Sequence, residues 1–125
     1  METRRVQEPV AEPEEKETME IQGPRVVLEV LQQPGTRFEV GEGQTVGRTD
    51  AADVVLKGVP NSDYISRKMA VFTRRGDQWF VQHLGGTNYI TVDGEKYQDN
   101  EEIALHSGSI LGLALCQFTV RLAEG

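Results

Sequence analysis

Cysteine and histidine are scarce in this chain: Cys116 stands alone, and the two histidines, His83 and His106, lie far apart. One cysteine excludes an intrachain disulfide and a cysteine metal cluster, and the histidines lack the close spacing of a zinc motif. Long apolar runs are missing too. No stretch approaches the roughly 18 residues of a membrane-spanning helix, and the N-terminus lacks the apolar segment of a signal peptide. Cations are outnumbered, 13 against 20 acids, for a net charge of −7. Such a balance argues against general nucleic-acid binding, whose affinity comes from many cationic phosphate contacts. No convincing amphipathic helix is found either. These absences point to the reducing cytoplasm, with no metal, no cofactor, no membrane span and no nucleic-acid partner expected.

The negative charge is unevenly placed. Residues 1–21 hold seven acids and three bases, with Pro9 and Pro13 and no aromatic residue. That composition cannot bury enough apolar surface to offset the entropy lost on ordering. The expectation is a flexible, disordered acidic tail over residues 1–22 and one folded domain over residues 23–125, enough for a single core.

From Pro24 onward the dominant period is two. In RVVLEVL, Val26, Leu28 and Val30 share a face; in QFTVRL, Phe118, Val120 and Leu122 alternate with Gln117, Thr119 and Arg121. This is the pattern of half-buried strands. Between them lie short runs rich in Val, Ile, Phe and Thr, such as RFEV, KMAVFTRR, QWFVQHL and YITVDGEKY. Gly76-Asp77, Asp93-Gly94 and Ser107-Gly108 are each flanked by extended runs and predict tight hairpin connections. Some ten short strands in about 100 residues predict an all-β, two-sheet antiparallel sandwich. One connection, KGVPNSDYISRK over residues 57–68, is longer than a hairpin needs. Long loops on rigid sheets are where function concentrates.

Inside that loop Ser66 is followed by two adjacent cations, Arg67 and Lys68, at the mouth of an apolar run. In an acidic chain this reads either as a solvated turn or as an anion site. Two other loops carry comparable pairs: Gly47-Arg48 at a strand end, and Thr87-Asn88 after two glycines. Each is weak alone, since a turn asparagine usually caps its own backbone. Their order carries the weight: Gly-Arg, Ser-Arg some 20 residues on, a Trp-bearing strand, a Gly-Thr-Asn loop, a Val-x-Gly hairpin and the closing SGSILGLALCQFTVRL.

This arrangement resembles the forkhead-associated (FHA) domain over roughly residues 25–122. The resemblance implies a sandwich of about eleven short strands that binds phosphothreonine through loops at one end. It implies a non-enzymatic interaction module in signalling. Arg48 falls on the family's phosphate-binding arginine, Ser66 on its phosphate-binding serine and Arg67 on the basic or polar residue that follows. Thr87 and Asn88 fall on the pair that holds the phosphopeptide backbone and the phosphothreonine region. The implied partner is a threonine-phosphorylated protein, a Ser/Thr kinase or a kinase substrate. The chemistry is consistent: a phosphothreonine brings about −1.5 to −2 charges and three acceptor oxygens, to which arginines donate charge-assisted hydrogen bonds.

Three positions depart from the family pattern. Met69 replaces a histidine that braces the loop, His83 replaces an aspartate, and Tyr89-Ile90 replace Gly-Thr. The phosphate contacts are complete while their support is altered, and Met69 is expected to pack as an apolar post under the 57–68 loop. Met69 and Tyr89 motivate a rival reading, a scaffold of the same fold that binds an unphosphorylated partner. Thr18 lies among acids with Ile21 three residues on, which makes it a candidate phosphosite and suggests phosphorylation-dependent self-association. Other motifs fare worse. Arg75-Gly76-Asp77 between two strands reads as a plain turn. GEGQTVG lacks dinucleotide-loop spacing and a following helix. No nucleophile-elbow sequence supports a triad built on Ser66 and His83.

Overall fold

The computed structural model describes residues 23–85 and 88–123. The expected tail, with Thr18, and the candidate residue Thr87 lie outside them. Eleven strands follow in chain order: β1 (Arg25–Val30), β2 (Arg37–Gly41), β3 (Thr45–Gly47), β4 (Val54–Val55), β5 (Ala70–Arg75), β6 (Gln78–His83), β7 (Ile90–Val92), β8 (Glu95–Tyr97), β9 (Glu102–Leu105), β10 (Ile110–Leu113) and β11 (Cys116–Ala123). They form a six-stranded sheet, β2-β1-β11-β10-β7-β8, and a five-stranded sheet, β4-β3-β5-β6-β9. Every ladder is antiparallel except the two-residue pairing of β3 with β4. The predicted two-sheet sandwich is the observed architecture.

Period two explains the layering, because alternate side chains of a strand face opposite sides of its sheet. Val26, Leu28 and Val30 of β1 are fully buried, as are Phe118 and Val120 of β11. From the other sheet Phe72, Trp79 and Val81 complete the core. Phe72→Ala or Phe118→Ala removes a large side chain from this layer, a change that costs about 3–5 kcal/mol.

The turns match the sequence in two of three cases. Gly76-Asp77 joins β5 to β6 with Gly76 at φ 62°, and Asp93-Gly94 joins β7 to β8 with both residues at positive φ. Ser107-Gly108 is not a hairpin. It carries the chain from β9 in one sheet to β10 in the other, where Gly108 N–H donates to Val120 O at 2.7 Å. The local signal was that of a turn, and a turn does not say whether its flanking strands pair. The β10–β11 hairpin turns instead on Ala114-Leu115, with Ala114 at φ 57° and no glycine to announce it.

Strand registers fix which loops share an end. Gly47, Ala70 and His83 close their strands at one end of the five-stranded sheet. The connection from His83 leads to Ile90 at the same end of the other sheet, opposite Leu113. Val30 and Phe118 lie there as well. The β1–β2, β3–β4, β4–β5, β6–β7 and β10–β11 connections therefore gather at one pole. Arg25, where the described chain enters, and the Gly76-Asp77 turn lie at the other.

Candidate binding site

The site is built around Gly47. A Cβ placed there would lie 2.0 Å from Arg67 O, 2.6 Å from Arg67 C and 2.8 Å from Lys68 Cα. Only a residue without a side chain lets β3 run this close to the 64–68 backbone. The requirement is close approach, since Gly47 is not among the residues at positive φ.

Once seated, the 64–67 segment has its carbonyls claimed one after another. Tyr64 O accepts from Asn88 Nδ2 at 2.7 Å, and Ile65 O accepts from Arg48 Nε at 2.9 Å. Ser66 O accepts from Arg48 N–H at 3.0 Å, and Arg67 O accepts more loosely from Thr49 N–H at 3.5 Å. The long β4–β5 loop is thus stitched to β3 on one side and to the β6–β7 connection on the other. Its far end is anchored by Met69, whose N–H donates to Val46 O at 2.7 Å and whose carbonyl accepts from Leu84 N–H at 3.1 Å.

Charge is also concentrated at this place. At the opposite pole and along the sheets, arginines meet acids: Arg25 lies 3.5 Å from Glu39, Arg74 lies 3.7 Å from Asp77 and Arg75 lies 2.8 Å from Glu102. Among the described residues Arg48, Arg67 and Lys68 have no such carboxylate partner, and the same holds for Arg37, Lys57, Lys96 and Arg121; what sets the three apart is that they cluster around Ser66. All three side chains are exposed and Ser66 is half-buried. Arg48 spends its Nε on Ile65 O, which fixes the guanidinium beside residue 66 and leaves its terminal nitrogens for a ligand. In a chain of net charge −7 this is a local cationic spot. The large apolar side chains exposed among the described residues, Leu31, Tyr64 and Leu115, also belong to loops at this pole.

The family model for the FHA domain matches residues 44–114. The chain belongs to the FHA domain family. It is 36% identical over 63 residues to the FHA domain-containing protein FhaB of Mycolicibacterium smegmatis, a match spanning 50% of this chain and 38% of that protein. Among solved structures it is similar to Mycobacterium tuberculosis EmbR in complex with a low-affinity phosphopeptide, with TM-score 0.67, 22% identity, 81% of this chain and 25% of that one. It is also similar to an FHA domain solved in work on phosphothreonine-dependent FHA domain interactions, with TM-score 0.66, 24% identity, 81% of this chain and 99% of that one. At these identities the structural likenesses speak for the fold. FHA domains are interaction modules.

In this FHA domain Arg48, Ser66, Arg67 and Asn88 are brought to one pole. The three departures from the family pattern acquire physical content. Met69 is fully buried within the core cluster that also holds Leu56, Val59 and Ile65, the packing expected of an apolar post under the loop. Tyr89 lies under Lys96, with the ammonium 4.5 Å from the ring centroid, and its carbonyl accepts Ala114 N–H at 3.1 Å. His83 is the residue the sequence undersold. It ends β6 as expected, yet only 1% of it is exposed and both ring nitrogens are engaged. Nδ1 accepts from Gly85 N–H at 3.0 Å, which leaves Nε2 to donate to Asn88 O at 2.8 Å. The available signal was spacing: a histidine two residues before a glycine and five before the site asparagine. Tyr64 and Ile65 were missed because they act through backbone carbonyls, which no side-chain motif reports.

Proposed function

We propose that this FHA domain binds threonine-phosphorylated protein segments, with the phosphate on Arg48, Ser66 and Arg67 and the peptide backbone on Asn88 and Thr87. One observation carries the reading: Arg48, tied through Nε to Ile65 O and through its N–H to Ser66 O, and the exposed Arg67 and Lys68 gather three cations around a half-buried serine. An arginine held through Nε presents its two terminal nitrogens as a fork, the geometry that suits phosphate oxygens. Ser66 adds a hydroxyl donor, and Asn88 Oδ1 remains an acceptor for a peptide N–H while Nδ2 holds Tyr64 O. The similarity to EmbR, solved with a phosphopeptide, supports the same class of ligand. Partners would then be kinase substrates or phosphorylated kinases. The domain would act by reversible binding, and a Thr18-phosphorylated copy of this chain is one candidate ligand.

The exposed Leu31, Tyr64 and Leu115 favour a second reading, docking of an unphosphorylated partner at the same pole. Calorimetry with one peptide in its threonine-phosphorylated and unphosphorylated forms separates the two. Binding confined to the phosphorylated form is expected; equal affinity for both would leave the docking reading in its place.

A further inference from the structure

We propose that a groove on the outer face of the six-stranded sheet is the seat of this chain's own acidic segment, residues 14–22, in its unphosphorylated form. The groove lies in the half of the sandwich where the described chain enters, away from Arg48 and Ser66. The inference therefore does not rest on the phosphothreonine reading.

The groove measures about 220 Å³ and is lined chiefly by Val27 and Glu29 of β1, Thr119 and Arg121 of β11, and Ser107 and Gly108 of the β9–β10 connection. Alternation places it outside the core. Val26, Leu28, Phe118 and Val120 point inward, so Val27, Glu29, Thr119 and Arg121 point out. Val27 is the apolar floor, opposite Arg121 on one side and Glu39 on the other. Ser107 Oγ accepts Leu122 N–H at 3.1 Å, which leaves its hydroxyl proton for a carbonyl of a bound chain. The charges of this face are unevenly engaged. Glu29 accepts Gly35 N–H at 2.9 Å, and Glu39 lies 3.5 Å from Arg25. Arg37, opposite Glu29, and Arg121, opposite Val27, are exposed and have no carboxylate partner among the described residues. The face thus offers two open cations around an apolar floor.

The chain itself supplies the occupant. The described residues begin at Gly23, whose φ of 87° bends the backbone as it reaches β1. Arg25 alternates with the buried Val26 and so faces out. It donates from Nη1 to Gly23 O at 3.1 Å while its Nε lies beside Glu39, so the chain arrives over this face. Immediately upstream, residues 14–22 hold four acids against one base, with Met19 and Ile21 as their large apolar members. In an extended segment Glu17, Met19 and Ile21 share one side, and Ile21 and Met19 stand roughly 7 and 13 Å from Gly23. That brings both within range of Val27, with Glu17 following toward Arg37. The apolar side chains cover the Val27 floor, and the carboxylates meet Arg37 and Arg121. Exposed ion pairs are weak singly, so the seat is shallow and salt-sensitive. A seated segment also keeps Thr18 in the entry half of the sandwich, away from Ser66 and Arg67.

The test uses the full-length chain with a nitroxide attached through Ala11→Cys, a change that leaves every charge of the segment in place; the buried Cys116 stays unlabelled. Paramagnetic broadening of backbone amides is read by NMR. A tail that samples both outer faces alike broadens them alike. A seated tail is expected to broaden Gly108, Thr119 and Arg121 beyond Thr73 and Phe80, which face out from the other sheet near its Gly76-Asp77 turn. Arg37→Glu with Arg121→Glu is expected to cut that excess about three- to tenfold, since attraction at two exposed pairs becomes repulsion. Salt at about 0.5 M should act in the same direction through screening. Met19→Asp with Ile21→Asp, which alters nothing in the folded domain, should do so by removing the apolar contact. Equal broadening of the two faces overturns the proposal, as does an excess that ignores salt and these substitutions. Broadening centred on Arg48, Ser66 and Asn88 overturns it by placing the tail at the opposite pole. In a mixture where only an isotopically silent copy carries the nitroxide, the excess should vanish. Its persistence there assigns the groove to a neighbour's tail and overturns docking within one chain.

Discussion

At Gly47 one hydrogen atom in place of a methyl group decides whether the β4–β5 loop can be seated. Gly47→Ala puts a carbon against the backbone of Arg67 and Lys68, which has no flexible end to swing aside. The expected outcome is destabilisation of about 1–3 kcal/mol, read as a lower midpoint in urea, together with weakened peptide binding. Arg48→Ala removes the fork and the tie to Ile65 O, so affinity for a phosphothreonine peptide should fall at least about tenfold by calorimetry, given about 1.5–3 kcal/mol per charge-assisted bond. Ser66→Ala removes a neutral donor and should cost less. Cys116 behaves differently, as an inert core residue. Burial pushes its thiol up to about 11, so the folded chain keeps this proton where an unfolded cysteine, titrating near about 8.5, has released it. The unfolded state then binds fewer protons, and stability falls as pH rises between those values. Thermal melts from pH 8 to 10.5 should show a steeper decline for wild type than for Cys116→Ala, and native protein should resist alkylation.

At the scale of elements, alternation made the strands legible. Val26, Leu28 and Val30, or Phe118 and Val120, declare by their spacing alone which face is buried, because one slip of register would expose them all. Pairing partners were less legible. Nothing local to Ser107-Gly108 says that β9 and β10 lie in different sheets, and nothing in Ala114-Leu115 announces a hairpin. The candidate site divides the same way. Arg48, Ser66, Arg67 and Asn88 were readable as side chains in loops, whereas the carbonyl stitching of residues 64–67 and the His83 clasp exist only after folding. The cross-strand tie of β5 to β9 is of that second kind. Arg75 bonds both oxygens of Glu102, at 2.8 and 3.1 Å, and lies 4.0 Å above the Phe80 ring. The guanidinium bond holds the Glu102 carboxyl below its usual range. The folded state therefore releases that proton first on the way up in pH, so the tie stabilises above the ordinary carboxylate range and its contribution disappears as pH falls through the lowered value. Glu102→Gln should lower the melting temperature at pH 7, and the gap from wild type should close as melts are taken down toward pH 3.

Over the whole molecule, the pole proposed for binding and the point where the described chain enters lie at opposite ends of the sandwich. This geometry bears on whether a phosphorylated Thr18 would be read by its own domain or by a neighbour. The six residues between Thr18 and Arg25 reach roughly 20–25 Å at full extension. The six residues of β1 alone span about 20 Å of the distance from entry to pole at a strand's rise. A segment docked in cis would have to run straight along the sandwich and then still turn onto Ser66 and Arg67. A segment docked onto a second copy faces no such limit, and two reciprocal contacts reinforce each other through effective concentration. The charges agree with an encounter of this sense: residues 1–21 hold seven acids against three bases, while Arg48, Arg67 and Lys68 wait without carboxylate partners among the described residues at the other pole. Because exposed charges are screened by salt over about 8 Å at physiological ionic strength, association should also weaken as salt is raised. Sedimentation of a Thr18-phosphorylated sample over a concentration series should show dimers that Arg48→Ala abolishes. A strictly monomeric species in which the Arg48 and Arg67 signals nonetheless shift on phosphorylation would mean that the tail closes on its own domain and that the reach argued from β1 is too short.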